Sequence, residues 1–133
     1  NHGWTAPMHN HDGVRPGPAI ALVEDDPSLN RATARLLRAQ GFTVDSFASA
    51  EAFLARETGQ PACLVLDIDL GGMSGLCLQR LLRTQGDATP IIFVTGGEHV
   101  GARELALDMG CTGFLYKPFT ANALLELVLQ ALS

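Results

Sequence analysis

Residues 63–68 read Cys-Leu-Val-Leu-Asp-Ile, a run of apolar side chains interrupted only by Asp67. A strand with one solvent-exposed face alternates apolar and polar residues, whereas this run is apolar at both odd and even positions. It therefore predicts a strand that is buried on both faces. A carboxylate at the end of such a strand needs an explanation, and it directs attention to Asp67.

Four further apolar runs resemble this one in length. They predict strands over residues 19–23, 42–47, 90–94 and 113–116. Stretches with helical spacing of apolar residues follow each run. Their signals are Pro27, Ser28 and Gly41 for the first helix, Ser49 and Gly59 for the second, Leu78, Leu81 and Leu82 for the third, residues 100–109 with Gly110 for the fourth, and Thr120 for the fifth. Five such repeats predict an α/β domain, a doubly wound five-stranded parallel sheet with helices on both faces.

The length of 133 residues fits one domain. Residues 1–18 are rich in Gly, Pro, His and Asn and lack an apolar period, so they predict a flexible leader or expression remnant before a domain at 19–133. The formal net charge is -5, without a cluster of Lys and Arg. This acidic balance argues against direct nucleic acid binding by the segment and favours a cation as partner.

The cysteines and the hydropathy indicate the compartment. Cys63, Cys77 and Cys111 are odd in number and widely separated, which disfavours a disulfide framework and a zinc site. No apolar stretch is long enough to span a bilayer, and the beginning of the chain lacks the apolar core of a signal peptide. We expect a cytoplasmic domain with reduced thiols and no membrane contact.

Polar residues stand at the carboxyl ends of four predicted strands. Asp25 and Asp26 follow the first strand and Asp67 ends the third, while Thr95 and Lys117 follow the fourth and fifth. Doubly wound sheets bind their ligands at this edge, where the strand order reverses. We therefore expect these five side chains to meet in one site.

The combination suits a divalent cation and a phosphoryl group. Crowded carboxylates repel one another unless a cation compensates, and Mg²⁺ prefers one or two carboxylates together with phosphate oxygens. The pattern thus predicts a site for Mg²⁺ or Mn²⁺. Lys117, the only lysine of the chain, can hold Asp67 when the site is empty and neutralise a phosphoryl oxygen when it is loaded. Thr95 can donate its hydroxyl to the same group.

Each residue alone also has an ordinary structural interpretation. Asp25 and Asp26 precede Pro27, where an Asp is commonly a helix N-cap. Lys117 alone would be a surface lysine, and Thr95 a plain strand end. Only the set of five together favours a site.

Four segments resemble the signatures of response regulator receiver domains. They are E-D-D-P-S at 24–28, L-V-L-D-I-D-L-G-G-M-S-G at 64–75, V-T-G at 94–96 and Y-K-P-F at 116–119. The resemblance covers residues 19–132 and implies a flavodoxin-like fold of the receiver type. It also implies a phosphoacceptor of two-component signalling, which catalyses only its own phosphorylation and dephosphorylation.

Carried over residue by residue, the resemblance makes Asp67 the phosphoacceptor. The metal would be held by Asp26, Asp67 and the backbone carbonyl of Asp69, with Asp25 acting through water. The resemblance further implies that Asp69 and Gly97, which flank the pocket, tune hydrolysis of the acyl phosphate.

The same resemblance predicts a switch. Thr95 and Lys117 would contact the phosphoryl group, with a cis peptide between Lys117 and Pro118. Phosphorylation would pull Thr95 inward, open space for Phe114, and shift the surface of helix four, strand five and helix five. Phe114 stands where Tyr is frequent, so the output cannot rely on a phenol hydrogen bond. Gly71 stands where Pro is usual, and we expect a more mobile loop after the third strand.

The implied partners are a sensor histidine kinase or phosphotransfer protein, and a downstream effector or output domain. The last helix carries apolar residues on more than one face, which burial or a homodimer surface would explain. Two alternatives stay open. D-I-D at 67–69 is similar to the nucleophile motif of haloacid dehalogenase-type phosphatases, and a receiver-like adaptor would act without phosphorylation.

Overall fold

A computed structural model describes residues 18–97 and 99–133, and it has the predicted α/β architecture. The predicted leader, residues 1–18, lies outside the described residues except for Pro18. In chain order the elements are β1 (Ala19–Val23), α1 (Pro27–Ala39), β2 (Thr43–Phe47), α2 (Ala50–Leu54), β3 (Cys63–Asp67), α3 (Gly75–Thr84), β4 (Ile91–Thr95), α4 (Ala102–Asp108), β5 (Gly113–Tyr116) and α5 (Ala121–Leu132).

The five strands form one parallel sheet in the order β2-β1-β3-β4-β5. All five residues of the central strand β3 are buried. Leu64 and Leu66 pack in the core beneath α2, α3 and α4, while Cys63 and Val65 pack in the core beneath α1 and α5. Both faces of the sheet are covered, which is why the strand is apolar at successive positions.

The strand order reverses between β1 and β3. The chain runs outward from β1 to β2 and then returns across the sheet to β3 and onward to β5. The loops after β1 and β3 consequently diverge at the carboxyl edge and leave a crevice between them. The acidic residues that follow β1 and end β3 lie at this crevice.

Two helices are shorter than predicted. The second helix ends at Leu54 instead of near Gly59, and α4 begins at Ala102 instead of residue 100. Gly101, which precedes α4, has φ 79°, so the left-handed backbone there excludes residue 100 from the helix. The predicted cap Thr120 is confirmed, since its side chain accepts a hydrogen bond from the N–H of Ala123.

Helix α4 is held at one end by side chains of α3. The buried Gln79 donates from Nε2 to the carbonyl of Ala106 at 3.0 Å. Arg83 donates from Nε to the carbonyl of Met109 at 3.1 Å and from Nη2 to that of Gly110 at 2.9 Å. At the other end, no side chain of the described residues caps the helix at Gly101.

The apolar residues of α5 are partly explained by burial. Leu124 and Val128 are fully buried against the sheet, whereas Leu129 is 53% exposed. Among the described residues, none of the helices combines the length and the apolar character that a membrane crossing requires.

Candidate functional site

Glu24 is the first residue after β1, and it is buried at the crevice. Its side chain is 2% exposed. Its Oε2 accepts a hydrogen bond from the backbone N–H of Asp26 at 3.0 Å, and its carbonyl accepts one from Nδ2 of Asn30 at 2.9 Å. These bonds fix the turn between β1 and α1 and direct the Glu24 carboxylate toward the sheet edge.

Asp26 is the N-cap of α1. Its Oδ1 accepts hydrogen bonds from the backbone N–H groups of Ser28 at 3.0 Å and Leu29 at 3.3 Å. Pro27 occupies the first turn, where its missing N–H costs nothing. The helix-cap interpretation of this residue is therefore the one that the structure supports.

Three carboxylates converge at the crevice. Oxygen atoms of Glu24, Asp25 and Asp67 all lie within 4.8 Å of one another. The predicted ligand set, Asp26, Asp67 and the Asp69 carbonyl with Asp25 acting through water, stays a prediction. The structure places Asp25 and Asp67 together with Glu24, which was not predicted, while the Asp26 carboxylate accepts hydrogen bonds at the N-terminus of α1. Three oxygen donors of this kind form a set that suits a hard divalent cation.

Lys117 links two members of this group. Its Nζ lies 2.9 Å from Oδ2 of Asp67 and 2.9 Å from Oε1 of Glu24. Burial alone would lower the pKa of Lys117, but the hydrogen bonds and charges of Asp67 and Glu24 outweigh it and raise that pKa above its ordinary value. Lys117 therefore stays charged at neutral pH. Burial raises the pKa of Glu24, although the Lys117 ammonium and the Asp26 N–H oppose this.

Asp67 ends β3 with its carboxylate bonded on both oxygens. Oδ2 accepts from Lys117, and Oδ1 accepts from the backbone N–H of Asp69 at 2.9 Å. Asp67 is 1% exposed. Gly75, the first residue of α3, lies directly against the Asp67 carbonyl and donates its N–H to the carbonyl of Ile68. The loop after β3 folds back tightly around the acid.

Thr95 faces the same site from the end of β4. It is 1% exposed, and its hydroxyl donates to Oδ2 of Asp69 at 3.1 Å. The other oxygen of Asp69 is held by His99, whose Nε2 lies 2.7 Å away. His99 could not be identified from the sequence, because a histidine in a loop has no periodicity and no motif to mark it.

Phe114 lies in β5, half-buried, against the core beneath α4. Its ring is 6.1 Å from that of Phe93 and 5.3 Å from that of Tyr116, measured between centroids. The Tyr116 residue is 57% exposed. The aromatic side chain at the predicted switch position thus bridges the core and the surface.

The peptide bond between Lys117 and Pro118 is cis, as the resemblance implied. An open cleft of about 630 Å³ borders the site on the side of α1 and α5. It is lined by Asp26, Ser28, Leu29, Lys117, Pro118 and Phe119. The Lys117 side chain is therefore reachable from outside the protein.

The loop after β3 is tied to α2 through Glu51. Its Oε2 accepts the backbone N–H of Met73 at 2.8 Å, a bond that lowers the pKa of Glu51. A Cβ at Gly72 would lie 2.5 Å from that Oε2, whereas one at Gly71 would meet no atom within 4 Å. The two glycines thus differ in the room that they have for a side chain.

Comparisons with known proteins assign the chain to one group. The model of the response regulator receiver domain family matches residues 20–129. The chain is 39% identical over 115 residues to the response regulator protein TmoT of Ectopseudomonas mendocina, an alignment that covers 85% of this chain and 52% of that protein. It is 36% identical over 115 residues to TodT of Pseudomonas putida, with 85% and 50% covered. The chain spans about half the length of these curated relatives.

Solved structures agree with this result. The response regulator StyR superposes with a TM-score of 0.81 at 39% identity, over 86% of this chain and 59% of that one. A CheY-like response regulator receiver domain protein from Methanospirillum hungatei JF-1 superposes with a TM-score of 0.80 at 27% identity, over 86% and 93%.

Proposed function

This chain belongs to the response regulator receiver domain family, the signalling domain of two-component systems, and on that premise we propose that Asp67 is its phosphoacceptor. The observation that carries the proposal is the contact of the only lysine in the chain with the buried carboxylate at the end of the central strand. A lysine placed there balances the acid at rest and a transferred phosphoryl group afterwards.

The carboxylates at the crevice fit a Mg²⁺ or Mn²⁺ ion. Receiver domains generally bind Mg²⁺ at an acidic pocket, and here the carboxylates of Glu24, Asp25 and Asp67 would hold it together with the backbone carbonyl of Asp69. When bound, the ion supplies positive charge beside the phosphoryl oxygens. The proposed set does not include Asp26, whose carboxylate caps α1.

Asp67 then acts as the nucleophile in an in-line displacement. One carboxylate oxygen attacks the phosphorus of a phosphohistidine, the P–N bond breaks, and the imidazole leaves as an acyl phosphate forms on Asp67. The Lys117 ammonium moves from Oδ2 of Asp67 to an oxygen of the arriving group. Attack of water on the acyl phosphate returns the carboxylate and releases inorganic phosphate.

The phosphoryl group is read out through Thr95 and Phe114. The hydrogen bond from the Thr95 hydroxyl to Oδ2 of Asp69 breaks, and the hydroxyl donates to a phosphoryl oxygen instead. This movement of Thr95 opens space for the Phe114 ring. The surface of α4, β5 and α5 shifts in response. Exposed apolar side chains on this surface, Leu105, Tyr116 and Leu129, support its use for a downstream partner or a second copy of the chain.

The donor that we propose is a sensor histidine kinase or a phosphotransfer protein in the cytoplasm. Receiver domains of this family pair with histidine kinases and with output domains. The open cleft beside Lys117 supports approach of a partner's phosphohistidine. The cysteines Cys63, Cys77 and Cys111 are free thiols, which supports a reducing compartment.

Loading with a small acyl phosphate tests the proposal. The protein is incubated with acetyl phosphate and Mg²⁺, and intact mass is recorded over time. One phosphate per chain is expected, and Asp67→Asn should take up none. Turnover of many phosphomonoesters per chain would favour the phosphatase alternative instead, and the absence of any adduct would favour the adaptor.

Matched variants test the revised ligand set in the same assay. Asn is as good a helix N-cap as Asp, so Asp26→Asn keeps α1 intact and should load like the wild type. Asp25→Asn removes a carboxylate of the group and should require more Mg²⁺ for half-maximal loading. The reverse pattern would restore the original assignment to Asp26.

A further inference from the structure

Two polar contacts of Asp69, an ion-pair contact with His99 and a hydrogen bond from Thr95, join the loops after β3 and β4. His99 Nε2 lies 2.7 Å from Oδ1 of Asp69, and Oδ2 of Asp69 accepts the hydroxyl hydrogen of Thr95 at 3.1 Å. The side chains of His99 and Asp69 are 37% and 46% exposed, whereas Thr95 is buried. A surface histidine is thereby connected to a buried residue of the phosphorylation site through one carboxylate.

Gly97 makes room for this arrangement. A Cβ at residue 97 would lie 3.1 Å from His99 Nε2 and 3.4 Å from Oδ2 of Asp69. The backbone N–H of Gly97 also donates to the Thr95 hydroxyl oxygen at 3.3 Å. The imidazole therefore enters space that a larger residue at position 97 would narrow.

The Thr95 hydroxyl has one hydrogen to give. In the structure that hydrogen goes to Asp69, so it reaches a phosphoryl oxygen only after the bond to Asp69 breaks. Whatever fixes the Asp69 carboxylate in place strengthens its hold on Thr95. His99 is the residue that contacts the oxygen of Asp69 not used by Thr95.

We propose that His99 is a positioning residue of the phosphorylation site, which holds Asp69 as the acceptor of the Thr95 hydroxyl and so slows phosphorylation of Asp67. The inference rests on the proposed function of Asp67. His99 acts on Thr95 through Asp69, the residue that both contact. It makes the resting arrangement of Thr95 more stable than it would be with a free Asp69 side chain.

Rates of loading by acetyl phosphate at saturating Mg²⁺ and fixed pH test the proposal. We expect His99→Ala to load about two- to fivefold faster than the wild type, the range for loss of a partly exposed polar contact with a carboxylate. His99→Gln, whose amide N–H can occupy the position of Nε2–H, should restore the slow rate. Val100→Ala is the matched control, because Val100 is a fully exposed neighbour in the same loop.

A double-mutant cycle tests whether the effect passes through Asp69. In an Asp69→Ala background, replacing His99 by Ala should change the loading rate no further. An unchanged or slower rate for His99→Ala, an unrescued His99→Gln, or an undiminished effect without Asp69 would each overturn the inference. If the wild type takes up no phosphate at all, the proposed function of Asp67 is wrong. If the wild type takes up phosphate and the His99 variants do not behave as expected, only the inference about His99 is wrong.

Discussion

Gly75 stands against the backbone of Asp67, so close that a Cβ at position 75 would overlap the Asp67 carbonyl oxygen and come within 3.0 Å of the Cα of Ile68. The first turn of α3 therefore begins in direct contact with the strand end that carries Asp67, the proposed phosphoacceptor. Backbone atoms cannot rotate out of the way as a side chain can, so this contact depends on the absence of a side chain at residue 75.

We expect Gly75→Ala to destabilise the fold by about 1–3 kcal/mol, the usual cost of forcing an extra group into a packed site. The substitution also displaces Asp67, so loading with acetyl phosphate should slow. Urea denaturation measures the first effect and intact mass the second. Gly59→Ala is the control, since a Cβ there meets no atom within 4 Å. Equal stability of the two variants would contradict the close contact.

Lys117→Met should destabilise the protein at neutral pH by about 1–3 kcal/mol, because Glu24 and Asp67 lose the cation that both contact. Without the ammonium, burial raises the pKa of Glu24 further. A carboxyl whose folded pKa lies above its unfolded value loses stability as pH rises through that interval and regains it as pH falls. The difference in the free energy of unfolding between variant and wild type should therefore become smaller from about pH 7 toward about pH 5. Urea titrations at both pH values measure it, and a gap that widens would contradict the role assigned to Lys117.

The strands could be predicted because their signal is local. β5 has the predicted bounds, Gly113–Tyr116, since an apolar run between Gly113 and the polar Lys117 has few alternatives. The start of α4 could not be predicted, because it depends on the left-handed backbone of Gly101, and glycine also accepts ordinary conformations. The end of α2 could not be predicted either, because its C-cap is Ala55, a residue type that does not mark a helix end.

The location of the site could be predicted from the sequence, but the acidic residue after β1 that turns into the crevice could not. Asp67 and Lys117 are found in contact because parallel strands end at one edge of the sheet. Three acids in a row after β1 do not reveal which of them turns into the crevice. Pro27 carries a further signal, since a proline in the first turn makes the residue before it the cap; Asp26 occupies that position, and Glu24 and Asp25 lie near Asp67.

Gly71→Ala should stabilise the protein by about 0.4–1 kcal/mol, because the position has room for a Cβ and the change reduces the entropy of the unfolded chain. Gly72→Ala is the matched comparison. Its Cβ would displace the Glu51 carboxylate and cost the bond to the Met73 N–H, so no gain is expected. Thermal unfolding of both variants checks the difference, and a larger gain at Gly72 would refute it.

Burial raises the pKa of the Cys63 thiol to about 12, from an ordinary value of 9.0. A group with a raised folded pKa contributes stability that is complete below its unfolded pKa and is lost as pH rises toward the folded one. The wild type should thus lose about 1 kcal/mol through this thiol between about pH 9 and about pH 10. Urea titrations should show a smaller loss for Cys63→Ala, whereas Cys77→Ala, at an exposed thiol, should keep the wild-type loss. Identical losses for all three proteins would exclude a contribution from Cys63.

Helix α4 is fastened by Gln79 and Arg83 near its C-terminal end, while its start at Gly101 has no side-chain cap among the described residues. A helix that is held at only one end can rotate about that end. The seven residues of α4 span about 10 Å. A small rotation of the helix about its Arg83 end would therefore displace its first residues, next to His99 and the proposed phosphorylation site, the most. We therefore expect any rotation of α4 to pivot near Gln79 and Arg83 and to displace Gly101 the most.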